Sequence, residues 1–227
     1  MNNWQNDLTQ SAQAFVSIVW PAMVDRRMVS PGELISLEQA QKTPLANLLD
    51  VYAGFDALQV YEGRLIRGIA SRIQTLDRTP AKYQADFPYN TFTVRASRDS
   101  GVKTELEKRR EAITSNAWLY PHLTVQAYLE TFDGDWMSIA VIKTADLIHI
   151  IDNPISKNQC FERKVSKNGA AVFKVVPWAH IDPAIVKIAA NDRRPCTQTF
   201  TNLQVEAISL QQSHTFTVST MQQMHLF

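Results

Sequence analysis

The stretch DVYAGFDALQVYEGRLIRGIASRIQ, residues Asp50 to Gln74, decides how the rest of the chain is arranged. Residues 55–61 and 65–73 are rich in β-branched, aromatic and aliphatic side chains, and the Glu62-Gly63 pair between them supplies the positive φ that short hairpin loops need. The stretch therefore predicts two antiparallel strands joined by a tight turn. Asp56 opens the first strand among apolar neighbours that indicate a largely buried sheet. Because an unpaired buried carboxylate is costly, we expect Asp56 to be paired, hydrogen-bonded or metal-bound.

Further polar residues flank this hairpin on both sides. Upstream, residues 31–38 lead into a predicted helix through Leu45 to Leu49, on which Glu38 would face the Asp56 end of the sheet. Downstream, the second strand ends with Ala-Ser-Arg-Ile-Gln at residues 70–74. The sequence thus predicts an acid on a helix, an acid at the start of a strand, and polar side chains at the end of the partner strand.

This arrangement resembles the PD-(D/E)XK nuclease superfamily. In that superfamily the acids hold one or two Mg²⁺ ions, and a Lys two residues after the second strand acid helps to orient the attacking water. The resemblance implies that Glu38 is the helix acid, Asp56 the strand Asp, and Gln74 the residue at the Lys position, where some restriction enzymes of this class carry Gln. It also implies Mg²⁺ or Mn²⁺ as the cofactor, held by Glu38 and Asp56, and nucleic acid as the partner, DNA more than RNA.

The chain departs from the superfamily pattern at Arg72, which stands two residues before Gln74, where the second strand acid is expected. A guanidinium cannot bind a cation, so three interpretations stay open. One metal ion is held by Glu38 and Asp56, or an acid such as Asp50 is supplied from elsewhere. In the third, the protein keeps the nuclease fold without cleaving, and binds nucleic acid or serves as an assembly subunit.

The register of the hairpin tests the nuclease interpretation. With a two-residue loop, Asp56 pairs opposite Ile69, and Arg72 and Gln74 lie on the far side of the sheet. With a three-residue loop, Asp56 pairs opposite Ala70 and shares a face with Arg72 and Gln74. The nuclease interpretation requires the second register, or a bulge that has the same effect.

Six Lys or Arg residues between Arg95 and Arg110 form the most basic window of the chain. A strand is predicted at Thr91–Arg95, and Thr104 with Glu107 forms a capping box at the start of the next helix. We expect this window to bind a phosphate backbone. The predicted nucleic-acid-binding residues are Arg72, Arg95, Arg98, Lys103 and Arg109. The alternative is a solvated helix with ion pairs such as Glu105–Arg109. Lys103 or Lys108 would also serve in place of the missing strand Lys, and Lys108 therefore joins the candidate catalytic residues.

The chain has 227 residues, 45% of them hydrophobic, and a net charge of +1, so no global field attracts nucleic acid and any binding must come from local patches. Cys160 and Cys196 are isolated from each other and from any metal-ligand spacing, which argues against a zinc site. We predict a nuclease-like core domain over residues 1–190 and a β-rich C-terminal arm over residues 191–227. The arm would contact a protein partner or a second copy of the chain.

The predicted fold class is α+β, with a central mixed β-sheet and flanking helices, restriction-endonuclease-like as the resemblance implies. Apolar residues recur at helical spacing between residues 5 and 28 and predict a helix that covers the sheet and is interrupted at Pro21. No leader pattern is present at the N-terminus, and nowhere do about 18 apolar residues follow one another. We therefore expect no membrane contact and a cytoplasmic location.

Overall fold

The structure is a computed structural model that describes residues 3–37, 54–98, 101–115, 120–164 and 171–191. The helices are α1 (Asn3–Ala14), α2 (Trp20–Asp25), α3 (Glu105–Thr114) and α4 (Thr144–Asp152), with a π-helical segment at Phe15–Val19 and 3-10 turns at Ala81–Asp86 and Trp178–His180. The strands are β1 (Glu33–Ser36), β2 (Ala57–Tyr61), β3 (Arg64–Thr75), β4 (Thr91–Arg98), β5 (Pro121–Leu129), β6 (Trp136–Lys143), β7 (Phe161–Lys164), β8 (Ala171–Pro177) and β9 (Val186–Ala190). Nearly all of the predicted C-terminal arm, from residue 192 onward, lies outside the described residues.

Within the described residues, six strands form a central mixed sheet in the order β1-β2-β3-β5-β6-β9. Its neighbours are antiparallel except β3 and β5, which run parallel. A parallel pair needs a long crossover connection, and here the crossover contains β4 and α3. β4 belongs to a second, antiparallel sheet in the order β4-β8-β7. The fold is therefore α+β, with a central mixed sheet flanked by helices.

The predicted hairpin is β2–β3. Tyr61 pairs with Arg64, which leaves a two-residue loop whose members, Glu62 and Gly63, have φ of 50° and 72°. A shift in register between Gln59 and Val60 then places Ala57 opposite Ile69. With Ala57 opposite Ile69, the register corresponds to Asp56 opposite Ala70, which is the second of the two predicted registers. A bulge produces this register, and the loop keeps two residues.

Asp56 itself lies just before β2 and is not part of the regular ladder. Its backbone N–H donates to the carbonyl of Ile69 at 2.9 Å. Its side chain contacts β3 two residues after Ile69, where the backbone N–H of Ser71 donates to Asp56 Oδ2 at 2.5 Å. The Asp56 carboxylate is thus fixed at the point where β2 begins and the second half of β3 runs past it.

One face of the central sheet is apolar and is covered by the N-terminal helices. Phe15, Val19, Trp20 and Met23 are buried in one cluster with sheet residues. The sheet contributes Ala57, Ile69, Leu123, Val125, Ala127, Leu129, Ile139 and Val141 to that cluster. The predicted helix over the sheet is confirmed, but its interruption at Pro21 is wrong. The helical run continues through Pro21, which lies in the first turn of α2, and the departure from α-helical bonding is at Phe15–Val19, just before it.

The opposite face of the central sheet carries polar side chains and meets β4 and α4. Along β5 the alternate residues Thr124, Gln126 and Tyr128 point to this face. Thr124 shares a 2.9 Å hydroxyl contact with Thr144 at the start of α4. Tyr128 donates to the carbonyl of Thr91 at 2.9 Å. Because these groups are buried, each hydrogen bond avoids the cost of an unpaired polar atom.

Residues 33–36, which were expected to lead into the predicted helix that was to carry Glu38, form strand β1. Pairing with β2, from Glu33 opposite Val60 to Ser36 opposite Ala57, supplies the backbone partners that the local sequence pattern does not reveal. Glu38 and the predicted helical residues 45–49 lie outside the described residues.

Candidate functional site

The end of β1 and the start of β2 meet at one corner of the central sheet, because the two strands are antiparallel. The backbone N–H of Leu37 donates to the carbonyl of Asp56 at 3.0 Å, which places the last described residue after β1 directly beside Asp56. In the sequence, Glu38 follows Leu37. The structure thus brings the chain leading to the first predicted acid up to the second, although the position of Glu38 itself is not described.

A small cleft of about 90 Å³ opens at this corner between α1 and the sheet. Its polar lining groups are Asp56, Ser11, Ser36 and Ser71, and its apolar lining groups are Leu8, Ala12, Phe15 and Phe55. The Phe55 ring lies where a side chain at position 68 would be, since a Cβ added to Gly68 would come within 1.8 Å of that ring. Glycine at position 68 therefore allows Phe55 to form one wall of the corner. Asp56 is exposed at the mouth of the cleft.

A group of charged side chains, which we call the arginine–glutamate cluster, consists of Arg72, Arg95, Glu105 and Arg109. Arg72 Nη2 donates to Glu105 Oε1 at 2.6 Å, and the backbone N–H of Arg95 donates to Glu105 Oε2 at 3.4 Å. Arg109 is buried, with 6% of its surface exposed. The cluster joins β3 of the central sheet to β4 and α3 of the crossover.

Opposing effects set the pKa values in this cluster. Burial acts to raise the pKa of Glu105, but the charges of Arg72 and Arg109, together with the hydrogen bond from Arg95, outweigh it and lower that pKa. Burial lowers the pKa of Arg109, and the charges of Glu105 and Asp56 oppose this effect. The electrostatic influence of Asp56 on Arg109 connects the sheet corner to the cluster.

Gln74 is half-buried and belongs to a line of side-chain hydrogen bonds between the two sheets. Gln126 Nε2 donates to Gln74 Oε1 at 3.4 Å, and Thr93 Oγ1 donates to Gln126 Oε1 at 3.2 Å. Gln126 sits on β5 beside Arg72, its partner in the parallel register. Neither Gln126 nor Thr93 was predicted as a neighbour of Gln74. The alternation of polar and apolar residues along β5 was a signal for the polar face, but only the pairing of the strands identifies the neighbours.

The remaining predicted basic residues have partners near the start of α3. Arg98 donates to the carbonyls of Val102 and Lys103 at 3.0 and 2.5 Å. Lys103 Nζ pairs with Glu111 at 2.5 Å. Lys108 lies on α3 within the predicted helix. The structure therefore brings Arg72, Arg95 and Arg109 together around one carboxylate, while Arg98 and Lys103 interact with the loop and helix beside them.

The two sequence-based interpretations of the basic window have different outcomes. The capping box is confirmed: Thr104 Oγ1 accepts from the backbone N–H of Glu107, whose carboxylate accepts from that of Thr104. The Glu105–Arg109 interaction is present, but Arg109 is buried, so the pair does not lie on a solvated helix face. Binding of a phosphate backbone by this window stays a prediction.

Within the described ranges, no three His, Cys, Asp or Glu side chains are grouped so that they could hold a metal ion. The predicted metal pair includes Glu38, which lies outside those ranges, so the Glu38–Asp56 site stays a prediction. None of the described helices is both long enough and apolar enough to cross a membrane.

Comparisons of the chain with protein-family models, with curated proteins and with solved structures gave no match.

Proposed function

We propose that this protein is a metal-dependent, nuclease-like protein that acts on DNA phosphodiester bonds, with a restriction-endonuclease-like core over residues 1–190. The observation that carries the proposal is the backbone hydrogen bond from Leu37 to Asp56 at the sheet corner. Antiparallel pairing of β1 and β2 places Leu37 beside Asp56, and Glu38, which follows Leu37 in the sequence, is the second acid of the proposed site. Carboxylate oxygens are the ligands that Mg²⁺ prefers in proteins.

In this proposal Glu38 and Asp56 hold Mg²⁺ or Mn²⁺. When bound, the ion would polarise a phosphate oxygen and lower the pKa of a bound water. Ser71 orients the Asp56 carboxylate through its backbone N–H. Gln74, held by Gln126, orients the attacking water, and Lys108 is the basic residue assigned to the position of the missing strand Lys. DNA as the substrate, a cytoplasmic location and an assembly contact through residues 191–227 belong to the same proposal.

The second candidate is a nucleic-acid-binding or assembly subunit that keeps the nuclease fold and does not cleave. The observation that favours it is the ion pair between Arg72 and Glu105. A positive guanidinium stands at the strand position where a second metal-binding acid is expected, and it already has a carboxylate partner. Such a position repels a divalent cation.

Incubation with supercoiled plasmid and with single-stranded DNA, each with Mg²⁺, Mn²⁺ or EDTA, separates the two candidates. We expect cutting that requires the metal ion and is lost in Asp56→Ala. Asp135→Ala is the matched control, because Asp135 is an exposed aspartate in the β5–β6 turn, away from the site. Binding without cutting supports the second candidate. Cutting that survives in Asp56→Ala contradicts the site assignment.

A further inference from the structure

Two guanidinium groups of the arginine–glutamate cluster share one aromatic ring. Arg95 lies opposite Phe173 in the β4–β8 register, and its Cζ is 5.4 Å from the centre of the Phe173 ring. Arg72 reaches the same ring from the central sheet, with its Cζ at 4.9 Å. Stacking on an aromatic face stabilises each cation, but two like charges over one ring repel each other. The arrangement therefore needs nearby negative charge.

The described residues supply less negative charge than the cluster needs. Arg72, Arg95 and Arg109 contribute three positive charges. Glu105 and, through its effect on Arg109, Asp56 contribute two negative charges. Because the charge of Arg98 also acts on Arg95, at least one positive charge is left over in a part of the molecule that is partly shielded from water. Buried charge of this kind is normally balanced by a partner.

Hydrogen-bonding capacity is left over as well. Arg95 Nε is buried and has no hydrogen-bond partner among the described residues. A guanidinium carries five N–H donors in a planar fork that matches the oxygens of a phosphate. The site is also accessible, because the side chains of Arg72 and Glu105 are 25% and 32% exposed. An anion can therefore approach Arg72, and the neighbouring Arg95 is itself only partly buried.

Arg78, which lies outside the cluster, is an arginine whose partners are all supplied by the protein. Arg78 also stacks on an aromatic ring, with its Cζ 4.7 Å from the centre of Phe132, and it pairs with Asp7. Here one guanidinium faces one carboxylate, and Arg78 also donates to Gln10 at 2.6 Å. No charge is left over, so nothing at Arg78 requires a ligand.

We propose that Arg72 and Arg95 form a metal-independent binding site for a phosphodiester group of a nucleic-acid strand. The choice of an internal phosphodiester over a free phosphate rests on the proposed function, since a nuclease-like protein binds along a nucleic-acid strand. The inference deepens the proposed function, since it names the part of the nucleic acid that is bound and the two residues that bind it. Glu105 sets the charge of the site and positions Arg72.

The test is fluorescence anisotropy with a short labelled thymidine oligonucleotide in EDTA, over a series of salt concentrations. We expect Arg95→Gln to weaken binding about tenfold or more, since a charge-assisted hydrogen bond contributes about 1.5–3 kcal/mol and a factor of ten corresponds to about 1.4 kcal/mol. The slope of log K against log salt should fall by about 0.7, the contribution of one phosphate on a single strand. Arg78→Gln, the matched control, should bind like the unchanged protein.

Further arms separate a phosphate site from a structural role and identify the source of the phosphate. Glu105→Gln adds one net positive charge and should tighten binding, whereas a structural role of the cluster predicts loss in both variants. If Glu105→Gln does not fold, the charge-neutral double variant Arg72→Gln with Glu105→Gln replaces it, and this variant should weaken binding as Arg95→Gln does. Oligonucleotides with and without a 5′-phosphate should bind equally, and inorganic phosphate should compete weakly.

Equal binding by Arg95→Gln and Arg78→Gln overturns the inference, as does an unchanged salt slope. Strong preference for a 5′-phosphate, or binding of inorganic phosphate as tight as that of the oligonucleotide, overturns the assignment to a phosphodiester. Because no metal is present, these outcomes do not depend on cleavage. If the protein cuts DNA and Arg95→Gln binds the oligonucleotide normally, the proposed function stands and the inference is wrong. If the protein binds the oligonucleotide without metal, Arg95→Gln weakens that binding and no cutting is seen, the inference stands and the proposed function is wrong.

Discussion

The two faces of the central sheet are built from the same strands but by different chemistry. The face under α1 and α2 is apolar, and in β5 every second residue from Leu123 to Leu129 contributes to it. The face toward β4 and α4 carries Thr124, Gln126 and Tyr128 from the same strand, each with a hydrogen-bond partner. The apolar face requires only shape and hydrophobicity, whereas the polar face requires particular partners at particular distances.

The two faces differ in how specific their partners must be. Apolar packing is non-directional and tolerates substitution if volume is conserved. A buried polar group is costly unless its partner is present, so a polar face between two sheets persists only with a matched set of residues. The polar face leads from Tyr128 through Gln126 and Gln74 to Arg72, and thus to the arginine–glutamate cluster. The arginine–glutamate cluster lies on the face with the stricter requirements, whereas Asp56 lines the cleft beside α1.

Removing a large side chain from the apolar face should have the largest effect on stability. Phe15 is 2% exposed and packs against the central sheet at the π-helical segment. We expect Phe15→Ala to lower the free energy of unfolding by about 3–5 kcal/mol, because burial is lost and a cavity remains. Leu8→Ala is the control, since Leu8 lies on the same helical run but is 49% exposed. Denaturant unfolding measures both, and a similar loss in the two variants would contradict the assignment of this face.

On the polar face the expected loss is smaller and depends on pH. Burial raises the pKa of Tyr128 to about 12, and its hydroxyl donates to the carbonyl of Thr91. Because the unfolded pKa is about 10, the folded protein holds this proton more tightly, and stability falls as pH rises from about 10 to 12. The stability that the folded protein loses over this pH range through ionisation of Tyr128 is of the order of 2–3 kcal/mol, because one pKa unit corresponds to about 1.4 kcal/mol.

Tyr128→Phe separates this contribution from the general effect of alkali. At neutral pH the variant should lose about 1–2 kcal/mol with the hydrogen bond. Between about pH 10 and 12 the unchanged protein should lose more stability than the variant, so the two should converge. Chemical unfolding at each pH measures the difference. If the difference between the two proteins stays constant over this range, Tyr128 does not titrate as a buried group.

The same contrast between faces explains which parts of the fold could be predicted from the sequence. The helix over the sheet, the β2–β3 hairpin and the helix that begins after Thr104 follow from periodicity, turn residues and a capping box, all of which are local signals. Strand β1 was not predicted, because a four-residue strand takes its partners from β2 and carries almost no pattern of its own. β9 was missed for a similar reason: its five residues are defined by pairing with β6.

The candidate site could be predicted only in part. Asp56 was predicted as a buried acid that opens a strand, but in the structure it is exposed and lies just before β2. Arg72 was recognisable because it stands where the resemblance places an acid. Glu105 was assigned to an ion pair within its own helix, although in the structure it also pairs with Arg72, which is 33 residues away in the sequence. Sequence spacing predicts contacts within one element, whereas the crossover that brings α3 to β3 is a property of the whole topology.

Asp56 should give the smallest effect on stability, and it tests the corner where the two faces meet. The Asn side chain in Asp56→Asn can still accept the backbone N–H of Ser71 through its carbonyl, so we expect a loss below about 1 kcal/mol. Asp56→Ala has no acceptor and should lose about 1–2 kcal/mol. The difference between the two variants isolates the hydrogen bond from the charge. Thermal unfolding without added metal measures both variants.

Adding Mg²⁺ to the same thermal unfolding series connects the stability of the corner to the proposed metal site. At ten times its dissociation constant, an ion that binds only the folded state stabilises it by about 1.4 kcal/mol, which corresponds to about 3–6 °C for a chain of this size. We expect this shift in the unchanged protein and none in Asp56→Asn. If Asp56→Asn instead unfolds the protein, the charge of Asp56 serves mainly to stabilise the buried Arg109, on whose pKa it acts. The acid is then part of the arginine–glutamate cluster, and the metal assignment at this corner fails.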